Sequence, residues 1–345
     1  TPNSVYMYGS ADYKQSVVHK FALNGQEIDY KSSTNFDGHL FGRGQSQLRF
    51  SEDGDYLRLV STEFTENSED RFEHKLKVFN TTSAGSSMEL VAELPNENNP
   101  AKIGKPNEDI YAVRYFGDKA FIVTFESIDP LYVINLEDNT APVVESELEI
   151  VGYSSYLHPI SENLILGIGQ NVDPNRFQTF DAVVSETSTV TSTTDDAKDD
   201  EKIVEGAKIA LFDVSGDAKL VKEFVFEGGY TPAEYNYHAL TYLAKSDNEH
   251  LFALPIETWS STFDQSRGYD VWSSNTELQL FDVTIDGAGG TLNHSGTVSP
   301  SSDETNYYGS WDDRAIIHGD IIYYVHGKDV WQSYWSNPKT VLGPF

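Results

Sequence analysis

The 345-residue chain carries 54 Asp and Glu against 24 Lys and Arg, a net charge of −30, and it contains no cysteine. That balance repels nucleic-acid phosphates and anionic lipid, and the missing cysteine excludes disulfides, thiol catalysis and Cys-based zinc sites. No apolar run reaches the ~18 residues a membrane helix needs, so neither nucleic acid nor membrane insertion is expected. An acidic surface of this kind suits a saline habitat and accepts divalent cations.

Aromatic residues make up 13% of the chain, which favours pleated, half-buried surfaces. Short runs alternate apolar and polar residues between Gly, Asp, Asn or Pro, the pattern of strands joined by turns. The start, Val5–Gly9, Val17–Leu23 and Glu27–Ser32, supplies three strands and lacks the first of a four-strand set. Residues 46–50, 56–62, 74–80 and 87–93 form a full set. The clearest set is Ile110–Phe116, the turn Gly117-Asp118, Lys119–Phe125, Leu131–Leu136 and Val143–Ile150. Two more follow, at 155–159, 164–169, 207–214 and 219–226, then at 237–243, 250–255, 277–284 and 291–298. Residues 313–318, 321–326 and 329–335 close the chain with an incomplete set. Third strands resemble one another, as in residues 77–82, 132–138, 210–216 and 280–287.

Repeated four-stranded cassettes predict an all-β chain folded as a β-propeller of about six to eight antiparallel blades, with incomplete terminal blades. The blades fall at 1–37, 38–95, 106–150, 153–227, 235–299 and 311–345 of one domain, with an acidic low-complexity insertion at 170–206. An incomplete blade has an open edge. Its strands merge with one another, are completed by further sequence, or pair with another chain in self-assembly. The initial Thr1, without Met, points to a processed or trimmed product.

The segment Tyr111–Gly169 resembles the family of secreted bacterial and archaeal proteins that carry a C-terminal β-propeller distantly related to WD40 repeats. The resemblance continues through Lys208–Phe226, Tyr235–Glu257 and Arg314–Val325, and more loosely through Gly38–Thr62. It implies export and a propeller, and it supplies no catalytic residue. Family members usually carry a further N-terminal portion, and the insertion between Gly169 and Gly206 is longer than the family leads one to expect.

With strands numbered outward, the connections Glu63–Glu73, Pro95–Asp109, Gln170–Glu205, Glu257–Thr276 and Ser299–Trp311 share one face, the expected recognition face. Within the insertion, Asp195, Asp196, Asp199 and Asp200 offer oxygens to calcium, the one cofactor considered, but without the turn glycine of a dedicated loop. A solvated, low-complexity loop is the stronger reading of these residues. The loop Glu257–Asn275 holds Trp259, Phe263, Tyr269 and Trp272. These rings either pack the loop onto the domain or form a platform for a sugar or a partner protein. Inner strands carry Arg49, Arg114, His158, His238 and Arg314. Such an axial basic cluster would take an anion or, through the histidines, a transition metal; alternatively it ties blades together.

No His-Glu-x-x-His, Gly-x-Ser-x-Gly or phosphate-binding glycine loop occurs; Gly167-x-Gly169 ends a strand with no helix after it. The sequence therefore predicts a non-catalytic, secreted or cell-surface module that binds or scaffolds a protein or glycan through the loop face. The alternatives are a structural subunit of a surface assembly joined through edge blades, and a calcium-dependent propeller hydrolase.

Overall fold

A computed structural model describes residues 3–67, 69–83, 85–126, 129–174, 203–287, 289–300 and 309–345. The first sheet has three strands, β1 (Ser4–Ser10), β2 (Gln15–Asn24) and β3 (Glu27–Asp37), in that order. The second runs β4 (Phe50–Asp53), β5 (Tyr56–Phe64), β6 (Phe72–Asn80) and β7 (Glu89–Leu94). The third runs β8 (Asp109–Phe116), β9 (Lys119–Phe125), β10 (Asp129–Asn135) and β11 (Val143–Ile150). The fourth runs β12 (Tyr153–Ser161), β13 (Leu164–Asn171), β14 (Gly206–Asp213) and β15 (Lys219–Glu227). In the fifth, β16 (Gly229–Tyr230) and β17 (Thr241–Ser246) both pair with β18 (Glu249–Asp264), which leads to β19 (Tyr269–Asp286) and β20 (Gly289–Val298). The sixth runs β21 (Arg314–His318), β22 (Ile321–His326), β23 (Asp329–Tyr334) and β24 (Asn337–Leu342).

In five of the six sheets each strand pairs with the next in sequence, and several of the connections are tight turns. Phe116 pairs with Lys119 across Gly117-Asp118, and Gly117 sits at φ +55°, the left-handed geometry that lets a two-residue turn follow strand twist. Two compact units emerge. The first comprises 1–149, 155–165 and 214–219; the second comprises 150–154, 166–213 and 220–345. In the first unit, Val18, Phe36, Leu57, Leu59 and Phe79 pack the first sheet on the second. Val60, Leu76, Val78, Val113, Ile122 and Ile134 pack the second on the third. In the second unit, Ala253, Leu278, Leu280, Ile322, Tyr324 and Trp331 pack the fifth sheet on the sixth.

Three expectations are corrected. The closing sheet is complete: β24 adds a fourth strand, although Pro338 donates no hydrogen bond, because an edge strand tolerates proline. The Ser333 hydroxyl helps hold it, 3.0 Å from both Pro338 O and Thr340 O. Residues 46–49 form a 3-10 turn before β4, and 237–239 form another before β17, so these inner strands start later than expected. Finally, Gly167 and Gly169 lie inside β13. A Cβ on Gly169 would stand 2.0 Å from Tyr153 O, and one on Gly167 would stand 2.7 Å from Phe212 Cε2, so both glycines permit close approach of neighbouring strands.

Candidate functional site

β18 and β19 stay in register from Glu249↔Thr284 out to Asp264↔Tyr269. β17 leaves β18 at Ala253, β20 leaves β19 at Leu278, and β16 covers only Glu257 and Thr258. The rest projects as a two-stranded ribbon. This overturns the expectation of a loop over 257–275. The ribbon closes on Asp264, whose Oδ1 accepts from the Ser266 N–H (2.8 Å), the Ser266 hydroxyl (2.6 Å) and the Arg267 N–H (3.2 Å). Those bonds, the Ser266 hydroxyl first, hold its carboxyl below the usual range.

Register decides which rings share a side. Trp259 and Phe263 alternate with Ser261 on one side of β18, and Trp272 lies opposite Ser261 on the same side. Tyr269, opposite Asp264, turns to the reverse side with Val271. All four rings are exposed, Trp259 by 43%, Phe263 by 59%, Tyr269 by 55% and Trp272 by 65%.

A second group of rings continues the same side. Tyr230 of β16 lies opposite Glu257, two residues before Trp259. Its ring is 6.5 Å from Trp311 at 7°, and Trp311 is 6.2 Å from Tyr235 at 27°. Tyr235 and Trp311 are 61% and 58% exposed. Two buried carboxylates position these rings. Glu257 Oε2 accepts from the Ser310 N–H and hydroxyl, both at 3.0 Å, which fixes the turn bearing Trp311. Glu234 closes a capping box with Thr231 and accepts from Gln170 Nε2 at 2.6 Å, which fixes the turn ending at Tyr235. Burial lifts the Glu234 carboxyl to about 7 against the opposing bonds from Gln170 and Thr231. Burial, then the nearby Glu234, also raises the Tyr230 hydroxyl, which finds no hydrogen-bond partner among the described residues. Thr231-Pro232-Ala233-Glu234 is legible as a capping box, but the meeting of Tyr230, Tyr235 and Trp311 has no linear signal.

Each of the five basic candidates has its own local surroundings. Arg49 sits in the 3-10 turn rather than a strand and is buried. It donates from Nη1 to Thr62 Oγ1 and from Nη2 to Arg43 O, each at 3.2 Å. Burial lowers its guanidinium to about 10, against the pull of Asp109. Arg114 lies on β8 beside a cavity. On β12, His158 Nδ1 is 3.2 Å from the Tyr156 hydroxyl. His238 is exposed on its 3-10 turn, with Nδ1 3.1 Å from Asn236 Oδ1. Arg314 on β21 donates to Asp313 O at 2.6 Å. Asp195, Asp196, Asp199 and Asp200 lie outside the described residues. Among the described residues no three His, Asp or Glu side chains converge as a metal site would require, and no helix is long and apolar enough to cross a membrane.

Arg49 also organises a buried histidine. The Thr62 hydroxyl that Arg49 contacts is 3.0 Å from His74 Nδ1, and His74 Nε2 donates to Glu108 O at 2.8 Å. Burial, reinforced by Arg49, lowers the imidazole to about 4 despite the bond to Glu108 O. Because the unfolded chain takes up this proton near pH 6.5, the contribution of neutral His74 to stability falls as pH drops from 6.5 towards 4. The slope approaches about 1.4 kcal/mol per pH unit. Proton-detected NMR is expected to show His74 neutral at pH 5; a midpoint near 6.5 would refute this.

A family model described as a beta propeller domain matches residues 1–337. An uncharacterised protein of Methanocaldococcus jannaschii is 29% identical over 254 residues, 73% of this chain and 32% of its own length. Another, from Archaeoglobus fulgidus, is 47% identical over 75 residues, 22% of this chain and 12% of its own. The chain thus spans at most 32% of these relatives. Among solved structures, a hypothetical selenium-binding protein from Sulfolobus tokodaii aligns with TM-score 0.36 and 10% identity, covering 98% of this chain and 84% of that one. The N-terminal domain of Nup159 aligns with TM-score 0.32 and 9% identity, covering 97% and 71%. With consecutive antiparallel sheets as its blades, the chain belongs to the beta propeller domain family.

Proposed function

We propose that the protein is a non-catalytic, extracellular binding module that recognises glycans along the aromatic side of its fifth blade. The observation that carries this reading is the group Tyr230, Tyr235 and Trp311, with rings at most 6.5 Å apart and Trp311 near-parallel to both tyrosines. Flat rings held in place, with Tyr235 and Trp311 exposed and Tyr230 half-buried behind them, suit the C–H faces of sugar rings, and Tyr and Trp lose little entropy on binding. The ribbon extends the surface through Trp259, Trp272 and Phe263, with Ser261, Asp270 and Ser274 on the same side to exchange hydrogen bonds with hydroxyls. A polar, striped surface of this kind fits a glycan better than the contiguous apolar core of a protein interface. The charge of −30 and the absence of cysteine agree with an exported protein, as does the resemblance to secreted WD40-like propellers.

The test is a titration of intrinsic tryptophan fluorescence with soluble polysaccharides of neutral and acidic composition. The double variant Trp259→Ala, Trp272→Ala is expected to weaken the best ligand by about tenfold with an unchanged circular dichroism spectrum. Unaltered affinity in that folded variant would remove the ribbon from the site. Failure of every polysaccharide to bind would remove the reading itself.

A further inference from the structure

Tyr230, Tyr235 and Trp311 stand against acid. Glu257 lies directly opposite Tyr230 across the β16–β18 pair, so the two share a side, and its Oε2 is bonded to Ser310, the residue before Trp311. Glu234 immediately precedes Tyr235, and Asp312 follows Trp311. Glu234 and Glu257 are both buried. After burial, the influences that raise the Tyr230 hydroxyl are Glu234, Tyr235 and Glu257, none of them a base. Glu234 Oε1 accepts from Gln170 Nε2 at 2.6 Å and from the Thr231 N–H at 3.3 Å, both neutral groups.

These bonds do not call for a charge. A capping box takes Gln as readily as Glu at this position, and one amide oxygen would accept both Ser310 donors. A carboxylate held among neutral donors is costly to bury, and a cation beside it would offset that cost. The rings favour the same guest, because an aromatic face attracts a cation within ~6 Å of its centroid. The three centroids lie 6.1 to 6.5 Å apart, so one cation over the group reaches more than one ring. Among the described residues the site joins two buried acids to three rings, rather than three converging metal ligands, which suits an organic cation.

Resting on the reading of these rings as a glycan platform, we propose that the ligand is an amine-bearing glycan, whose ammonium sits over Tyr230, Tyr235 and Trp311 with Glu234 and Glu257 beside it. A lysine of a partner protein carries the same charge but offers no sugar faces to Trp259 and Trp272, which extend the surface on the same side. Burial lifts the Glu234 carboxyl to about 7, so it is charged above that pH and neutral below it. Its attraction for a cation is therefore present at pH 8 and lost as pH falls to 6. The other titratable groups on the segments around it are Tyr230, Tyr235, Glu257 of β18, Tyr237 and His238 of the 237–239 turn, and Asp312 of the 310–312 turn.

The probe is a hexamer of N,N,N-trimethylglucosamine, whose charge does not change with pH, compared with the neutral N-acetylglucosamine hexamer. Tryptophan fluorescence follows binding in about 0.5 M NaCl, where salt screens the exposed acids of the −30 chain. At pH 8 the cationic hexamer is expected to bind at least about tenfold more tightly than the neutral one. That preference is expected to shrink about fivefold at pH 6. Glu234→Gln keeps the capping box and removes one of 54 acids. It is expected to shrink the preference at pH 8 about fivefold and to flatten its dependence on pH. Equal affinity of the two hexamers, both lost in Trp311→Ala, would overturn the cation preference and leave the glycan reading standing. Binding of neither hexamer would overturn both. A pH dependence that persists in Glu234→Gln would assign it to another group, such as His238, and overturn the proposal. So would a hexalysine that binds as tightly with the same response to Glu234→Gln, since the site would then belong to a protein partner.

Discussion

Arg58→Ala is expected to lower the unfolding free energy by about 3–5 kcal/mol, read from the urea midpoint and slope. Arg58 lies on β5 with its side chain 1% exposed. Its Nε donates to Asn139 Oδ1 at 2.6 Å, its Nη1 to Gly117 O at 3.2 Å, and its Nη2 to Asp53 Oδ2 at 2.7 Å and Leu136 O at 3.3 Å. One guanidinium thus ties the second sheet to two turns of the third. Truncation would strand buried carbonyl oxygens that water does not reach, and an unmet buried acceptor costs about 1–3 kcal/mol. Arg58→Lys is expected to recover little, because a point charge on a flexible stem cannot reproduce a planar fork that reaches four acceptors. Asp53→Asn is the control. Its carboxylate is 48% exposed, so the loss should stay below about 1 kcal/mol. A loss that small for Arg58→Ala would show that the second and third sheets do not depend on this link.

Why Arg58 escaped the sequence reading is instructive. In Asp-Tyr-Leu-Arg-Leu-Val-Ser-Thr, Arg58 occupies a position that strand alternation assigns to solvent. Yet β5 is buried from Leu57 to Thr62 on both sides, because a blade's second strand has a sheet packed against each face. Alternation reports one wet face, and in stacked sheets that face is missing. The cassettes themselves were legible because glycine-led turns such as Gly117-Asp118 punctuate them at regular intervals. Two elements were hidden. Asn337–Leu342 contains Pro338 and reads as a breaker, and the ribbon 258–275 mixes polar residues with rings on both sides, without the alternation of a strand that covers a core. Its strand character survives in Thr258, Trp259, Thr262, Phe263, Tyr269 and Val271, residue types that favour extended backbone.

The candidate site was half legible for the same reason. Trp259, Phe263, Tyr269 and Trp272 stand out in composition, but sidedness needs register, and register sends Tyr269 to the reverse side. Tyr230, Tyr235 and Trp311 come from separate segments whose meeting depends on Glu234 and Glu257, two acids among 54 acidic residues. A strongly acidic composition conceals the few carboxylates that are buried. Arg114 was visible as one of five basic residues, but only the fold shows that it borders a cavity and that Arg49 is consumed by Thr62 and Arg43.

Trp311→Ala is expected to weaken polysaccharide binding by about thirtyfold, close to 2 kcal/mol, the loss typical of a central aromatic anchor. Trp311 is the ring that both tyrosines face, so removing it also releases the contacts that order Tyr230 and Tyr235. Burial does not complicate the variant, since Trp311 is 58% exposed and its loss opens no core cavity. The distinguishing comparison is Glu257→Ala. It retains every ring but frees the Ser310 N–H and hydroxyl from their shared acceptor, so the turn bearing Trp311 loses its anchor. If affinity rests on a preorganised platform, Glu257→Ala should weaken binding by several-fold with Trp311 still present, because ordering the ring then falls to the binding step. Trp311→Phe, which keeps a flat face in place, should retain more affinity than either. Wild-type affinity in Glu257→Ala beside a large loss in Trp311→Ala would mean that the ring binds without preorganisation. Wild-type affinity in Trp311→Ala itself would move the glycan site off this group of rings.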